Sequence, residues 1–120
     1  MKKDFKIVIA EDELLFARVM RMEFEKQGFQ VHTVVDEAAA FEKVMETKPD
    51  AILLDIRLKN NSSGIEAARK IRAAGISTLI VFTTGNSYES TSKQISDISN
   101  AKILIKPIEF NQLLYLLNEI

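Results

Sequence analysis

Short apolar runs alternate along the chain with longer segments in which apolar residues recur every three or four positions. The short runs are typical of buried β-strands, and the longer period is typical of amphipathic α-helices. The pattern predicts strands over residues 6–10, 29–35, 51–55, 79–83 and 101–106, and helices over residues 13–27, 36–47, 64–74, 88–95 and 110–120. Strict alternation predicts one α/β domain, a doubly wound parallel sheet with helices on both faces and right-handed crossovers.

Helical periodicity is clearest in the first helix, where Leu15, Val19 and Met22 recur at i, i+4 and i+7. We interpret Met20, Met22 and Met45 as residues that fill the core. The fourth helix is the weakest assignment, because residues 87–100 are rich in Ser and Thr. Weakly packed segments are the ones that move most readily, so a low-stability switch element is a second interpretation of this segment beside a plain polar loop.

Composition excludes several classes of function. A formal net charge of -1 argues against direct nucleic-acid binding as the main role. The chain has no Cys and one His, which excludes disulfides, thiolate catalysis and a histidine metal cluster. No apolar run approaches the length that a membrane helix needs. A cytoplasmic protein without membrane contact is therefore the expectation.

Charged side chains follow three of the predicted strands at the same end. Glu11 and Asp12 follow the first strand, Asp55 ends the third, and Lys106 ends the fifth. Ligands bind at the carboxyl ends of strands in open α/β sheets, so these groups are expected to share one edge. Clustered carboxylates either take up protons or hold a cation. Oxygen ligands favour a hard ion, and Mg²⁺ suits carboxylates combined with a phosphoryl group.

The same edge could serve phosphoryl transfer. A metal ion, the Lys106 ammonium and a hydroxyl from Thr83 or Thr84 would together stabilise a transferring phosphoryl group. Asp55 is the natural nucleophile, because a carboxylate can form an aspartyl-phosphate. Only one of the two threonines can face the site, since neighbouring residues of a strand point to opposite sides.

Four motifs carry a family resemblance: Ile-Val-Ile-Ala-Glu-Asp-Glu, Leu-Leu-Asp-Ile-Arg-Leu, Phe-Thr-Thr-Gly and Ile-Lys-Pro. In this order and spacing they resemble the receiver domain of two-component response regulators, over residues 1–120 as a single domain. The resemblance implies a flavodoxin-like (βα)5 fold with strand order 2-1-3-4-5. It also implies that Asp55 is the phosphoacceptor, Asp12 a direct Mg²⁺ ligand, Glu11 the holder of a metal-bound water, and the Arg57 carbonyl a backbone ligand.

By the same resemblance, Thr84, followed by the small Gly85, matches the switch hydroxyl. Lys106 matches the lysine that pairs with the phosphoryl group, and the Lys106–Pro107 bond is expected to be cis. The implied function is Mg²⁺-dependent transfer of a phosphoryl group from a partner phosphohistidine to Asp55, which switches the face formed by helix four, strand five and helix five. Such a protein is not an enzyme on other substrates and catalyses only its own phosphorylation and dephosphorylation.

The implied partners are a sensor histidine kinase or histidine phosphotransfer domain, and a downstream target or a fused output domain. A phosphorylation-dependent homodimer is a further expectation. Arg57 and Asn86, two residues beyond Asp55 and Thr84, are expected to influence the lifetime of the phosphoryl group. Nothing follows the last predicted helix, so the chain is expected to be a stand-alone receiver or a receiver fragment.

Two positions depart from the family pattern. The loop after Asp55 lacks the usual Pro and is one residue longer, reaching Gly64 through residues 60–63. Ile103 occupies the place of the usual switch aromatic, three residues before the lysine. No aromatic rotamer change at that place can therefore accompany phosphorylation.

Three other functions remain as alternatives. The first is a receiver-like interaction module that works without phosphorylation. The second is a phosphoester hydrolase, but Arg57 stands where such enzymes carry a second Asp. The third is a flavodoxin, in which the acidic residues 11–13 would repel the phosphate that the loop after the first strand must bind.

Overall fold

The computed structural model describes residues 4–118, which form a parallel sheet of five strands flanked by helices. The strand order is β2-β1-β3-β4-β5, as the family resemblance implies. The strands are β1 (Lys6–Ala10), β2 (Gln30–Val34), β3 (Ala51–Asp55), β4 (Leu79–Thr84) and β5 (Ala101–Ile105).

Each strand is followed by one helix, so the predicted alternation is confirmed. The helices are α1 (Leu14–Lys26), α2 (Glu37–Thr47), α3 (Gly64–Ala73), α4 (Tyr88–Gln94) and α5 (Phe110–Leu117). The last helix was predicted to continue to residue 120, and residues 119 and 120 lie outside the described part of the chain. No helix within residues 4–118 is both long enough and apolar enough to cross a membrane.

Two apolar clusters cover the two faces of the sheet. One contains Val8 and Ile52 with the inner sides of α2 and α3, and the other contains Ile9 and Leu53 with the inner sides of α1 and α5. All five residues of β3 are buried, because the strand lies in the middle of the sheet and is covered on both faces. This burial explains why β3 reads as an unbroken apolar run that ends on a carboxylate.

The residues that show the helical period of α1 do not form its inner face. Leu15, Val19 and Met22 are 71%, 44% and 52% exposed, whereas Met20 and Phe24 are buried. The helix has two apolar stripes with the same period, and the stripe with the bulky aromatic packs on the sheet. The prediction that Met20 fills the core is confirmed.

The prediction of a core role was wrong for Met22 and for Met45, which is 44% exposed. Met45 follows the buried Val44 of α2 by one residue, which turns it about 100° away around the helix. Met22 lies on the outer stripe of α1. Flexible Met side chains on an outer surface adapt readily to a binding partner.

Local sequence signals position two of the helix ends. The Asp36 carboxylate accepts a hydrogen bond of 2.8 Å from the Ala39 amide and so caps α2. Gly28, with φ of 88°, closes the end of α1 in the left-handed region. The short helix α4 is present, anchored by Ile95 and Ile98 beyond its end, while Tyr88 at its start is exposed.

Candidate functional site

Three carboxylates meet at the carboxyl edge of the sheet. Asp55 ends β3, and Glu11 and Asp12 follow β1, its neighbour in the sheet. One carboxylate oxygen of each lies within 4.8 Å of those of the other two. Asp55 is buried and Glu11 is 2% exposed, while Asp12 is open to solvent. The sheet therefore brings together the acidic residues that the sequence predicts to share an edge.

Lys106 joins two of these carboxylates directly. Its Nζ lies 2.6 Å from Asp55 Oδ2 and 3.1 Å from Glu11 Oε1. Burial lowers the pKa of Lys106, but its hydrogen bonds to Asp55 and Glu11 outweigh that effect and raise the pKa above its ordinary value. The ammonium therefore stays charged at neutral pH. The pairing of Lys106 with Glu11 was not predicted from the sequence.

Glu11 is the most perturbed carboxyl group of the site. Burial, reinforced by the neighbouring Asp55 carboxylate, raises the pKa of Glu11 from 4.5 to about 7. The backbone amide of Glu13 and the Lys106 ammonium act in the opposite direction, since both stabilise the charged form. Without a cation, Glu11 is therefore close to half-protonated at neutral pH.

This raised pKa makes stability depend on pH in a defined direction. Between pH 4.5 and about 7 the folded chain retains a proton on Glu11 that the unfolded chain has released, so stability falls as pH rises through that interval. The loss ends about one pH unit above that pKa, where the folded chain has also released the proton. The free energy of unfolding of the native protein should decrease by about 1–3 kcal/mol between pH 5 and pH 8. Replacement of Glu11 by Gln should abolish this decrease. Urea unfolding of both proteins with a metal chelator measures the difference. Parallel pH curves for native and Glu11→Gln protein would contradict the raised pKa.

A cleft opens above Asp55. It has a volume of about 450 Å³ and is lined by Asp12, Asp55, Ile56, Arg57, Thr84, Gly85, Asn86 and Lys106. Both candidate threonines are buried in β4; Thr84 lines this cleft, whereas Thr83 pairs with Asp55 in the sheet and is not among the lining residues. The Thr84 Oγ accepts a hydrogen bond of 3.0 Å from the Asn86 amide, which leaves the hydroxyl proton available to another acceptor.

Backbone geometry fixes the direction of the Asp55 side chain. The Arg57 amide donates a hydrogen bond of 3.0 Å to Asp55 Oδ1.

Gly64 packs so closely on the Asp55 carbonyl group that a Cβ there would overlap it. At β5, the Lys106–Pro107 peptide bond is cis, as the resemblance implies.

The donor set fits a hard divalent cation. Carboxylate oxygens from two adjacent strand ends lie close together and border an open polar cleft. Oxygen donors in an open site with room for water are what Mg²⁺ prefers. The described residues hold a second polar cleft of about 410 Å³ at the opposite edge of the sheet, bordered by Asp50 and Lys102, but it has no comparable group of carboxylates.

The comparisons with known proteins agree with this geometry. The sequence model of the response regulator receiver domain matches residues 7–118. The response regulator ArlR of Staphylococcus saprophyticus is 31% identical over 110 residues, which cover 91% of this chain and 49% of that protein. The autoinducer 2 sensor kinase/phosphatase LuxQ of Vibrio vulnificus is 31% identical over 109 residues, which cover 90% of this chain and 13% of that protein.

A solved structure shows the same fold. The receiver domain of a sensor histidine kinase from Pseudomonas aeruginosa is 26% identical and has a TM-score of 0.85, with 97% of this chain and 96% of that chain covered. That structure holds a magnesium ion coordinated in its active-site cleft.

The receiver domain match over residues 7–118, with the doubly wound parallel sheet and the acidic cluster at its carboxyl edge, identifies a phosphoacceptor signalling domain. The chain belongs to the response regulator receiver domain family of two-component systems. It spans about half the length of two of the relatives it matches, 49% of one and 48% of the other.

Proposed function

We propose that Asp55 accepts a phosphoryl group from the phosphohistidine of a partner protein. The observation that carries this proposal is the position of the Asp55 carboxylate in the cleft, 2.6 Å from the Lys106 ammonium and close to the carboxylates of Glu11 and Asp12. An Asp55 oxygen attacks phosphorus, the O–P bond forms and the N–P bond breaks. The electron pair of that bond stays on the imidazole nitrogen, and the aspartyl-phosphate remains on this chain.

We propose that Mg²⁺ assists this step. Asp12, Asp55 and the Arg57 carbonyl would be direct ligands, and Glu11 would hold a metal-bound water. When bound, the ion neutralises charge on the phosphoryl oxygens during transfer. The raised pKa of Glu11 and the like charges around it support the proposal, because a divalent cation would relieve both.

Thr84 and Lys106 would hold the phosphoryl group after transfer. The Thr84 hydroxyl already accepts from the Asn86 amide, so its proton can be donated to a phosphoryl oxygen. Lys106 would exchange its bond with Asp55 for one with the new dianion, which is the stronger acceptor. Movement of Thr84 would pull the Asn86 amide and the start of α4 with it.

The two ends of α4 are held by different contacts. At its carboxyl end, Arg69 of α3 donates a hydrogen bond of 3.3 Å to the Gln94 carbonyl. Its first turn is exposed, and within the described chain the buried Thr91 hydroxyl has no hydrogen-bond partner. An unpaired buried hydroxyl costs about 1–3 kcal/mol, so α4 is weakly stabilised at its middle, although the Ser87 hydroxyl caps its first turn. Phosphorylation would therefore move the first turn of α4 about a fixed far end.

The energies are sufficient for a switch. A change from 1:99 to 99:1 between two arrangements needs about 5.5 kcal/mol of differential stabilisation. Bonds from Thr84 and Lys106 to a charged phosphoryl group contribute roughly 1.5–3 kcal/mol each. With the bound cation, these contacts can shift the face formed by α4, β5 and α5 almost completely. A downstream partner, a fused output domain or a second copy of the chain would bind that face.

Incubation with a small acyl phosphate tests the proposed reaction without a partner protein. With Mg²⁺ present, mass spectrometry should detect one added phosphoryl group, which the chain then loses with time as water hydrolyses it. The proposal includes this self-catalysed uptake and loss, with Arg57 and Asn86 influencing the rate of loss. A folded chain that gains no phosphoryl group would instead support a receiver-like module that works without phosphorylation.

The exposed stripe of α1 is the proposed contact for the phosphodonor protein. It consists of Leu14, Leu15, Val19 and Met22, and it begins two residues after Asp12. A phosphohistidine can reach Asp55 only if its carrier lies against the rim of the cleft. An apolar helix face at that rim would be covered by the donor domain.

Val19→Glu should lower phosphotransfer from the donor protein about tenfold, because it places a charge in a desolvated contact. Uptake from a small acyl phosphate should be unchanged, since the reacting groups are untouched. Met45→Glu is the matched control, because Met45 of α2 is equally exposed, at 44%, and lies on the other face of the sheet. Equal losses in both variants, or in both assays, would count against a docking role for α1.

A further inference from the structure

The loop between β3 and α3 is unusual in this chain because it is long and fixed by specific hydrogen bonds. Asn60 and Asn61 both have positive φ values, 61° and 57°. Asn tolerates the left-handed region better than most residues, so the Asn60-Asn61 pair itself favours this path, and the hydrogen bonds of the loop add to that preference. The same loop carries the Arg57 carbonyl, the backbone ligand of the proposed metal site.

Ser62 makes the central contacts of the loop. Its hydroxyl donates a hydrogen bond of 2.6 Å to the Lys59 carbonyl and accepts one of 3.1 Å from the Glu37 amide. Glu37 is the first residue of α2, and its amide is one of those that an α-helix leaves without an internal partner. Ser62 therefore closes its own loop and joins it to a different helix with one side chain.

A second bond fixes the loop to the same place. The Lys59 amide donates a hydrogen bond of 2.9 Å to the Val35 carbonyl, which lies just before α2. Within the loop, the Leu58 amide donates a hydrogen bond of 3.1 Å to the Ser62 carbonyl. The Leu58 side chain is buried in the core. Arg57 precedes Leu58, and its amide binds Asp55 Oδ1. A continuous set of contacts thus runs from Ser62 to the backbone beside the phosphoacceptor.

We infer that Ser62 is a positioning residue that holds the Arg57 carbonyl in place for the metal by binding the enlarged loop to the start of α2. This role rests on the proposed function, because it assumes that the Arg57 carbonyl is a metal ligand. Contacts one step removed from metal ligands affect metal affinity by orienting those ligands. The Ser62 hydroxyl does so through the backbone.

Three variants test this role by Mg²⁺ titration followed by amide NMR. Ser62→Ala should weaken Mg²⁺ binding by about tenfold, the lower end of the range for such contacts. Ser62→Thr, which keeps a hydroxyl, should restore affinity to within about twofold. Thr47→Ala removes a hydroxyl hydrogen bond of 2.7 Å at the other end of α2, away from the loop, so it should leave Mg²⁺ affinity unchanged.

Hydrogen exchange without metal provides a second measurement. The Glu37 and Lys59 amides should exchange faster in Ser62→Ala than in native protein, while amides of β3 stay protected. Native Mg²⁺ affinity and native exchange in a folded Ser62→Ala protein would overturn the positioning role alone. A native chain without Mg²⁺ affinity would overturn the proposed function, and the role of Ser62 with it.

Discussion

Asp55→Asn is expected to abolish phosphoryl uptake from both a small acyl phosphate and a phosphohistidine protein. The amide that replaces the carboxylate is not a nucleophile, and it cannot form an acyl phosphate by the same displacement. Folding should be retained, because Asn has the same shape and the buried position loses a charge rather than gaining one. Mass spectrometry after incubation with Mg²⁺ should show no added phosphoryl group.

Asp36→Asn is the matched control for this substitution. It makes the same chemical change at the cap of α2, where Asn serves about as well as Asp, so stability and uptake should both stay native. Uptake by Asp55→Asn at the native rate would exclude Asp55 as the phosphoacceptor. The neighbouring carboxylates of Glu11 and Asp12 would then be the groups to replace next.

Gly64→Ala is expected to have the largest effect on stability. A Cβ at this position would overlap the Asp55 carbonyl oxygen and come within 3.0 Å of its carbonyl carbon. Both are backbone atoms of the central strand, so they cannot rotate away as a flexible side chain could. We expect a loss of about 3 kcal/mol in urea unfolding, at the upper end of the usual cost of overpacking.

The same substitution should also reduce phosphoryl uptake, because relief of the overlap displaces the end of β3 that carries Asp55. Gly85→Ala is the control for stability, since a Cβ at Gly85 meets nothing within 4 Å. It should change the free energy of unfolding by no more than about 0.5 kcal/mol. Equal stability of the two variants would show that the close packing of Gly64 on Asp55 is absent in solution.

Most of the fold follows from two features of the sequence. Alternation of apolar runs with helical periods predicts a parallel sheet. A parallel sheet places the carboxyl ends of all its strands at one edge. The second rule brought Glu11, Asp55 and Lys106 together from positions far apart in the chain. The family motifs then supplied the strand order, which alternation alone leaves open.

The failed core assignment in α1 has a physical cause. In α1, the stripe through Leu15 and Val19 and the stripe through Met20 and Phe24 have similar periods, so periodicity cannot decide which one is buried. The choice depends on the shape of the sheet that receives the helix. A hydrogen bond between a loop and a different helix, such as that of Ser62 with Glu37, follows from no periodic pattern along the chain.

Beryllofluoride titration with Mg²⁺, followed by amide NMR, tests most directly whether Asp55 operates a phosphorylation switch. Beryllofluoride takes the place of a phosphoryl group on an aspartate. We predict Mg²⁺-dependent shifts at Asp55, Thr84 and Lys106 that extend through the start of α4 and along β5. The absence of any response from a folded chain, with Mg²⁺ and beryllofluoride in excess, would contradict the switch.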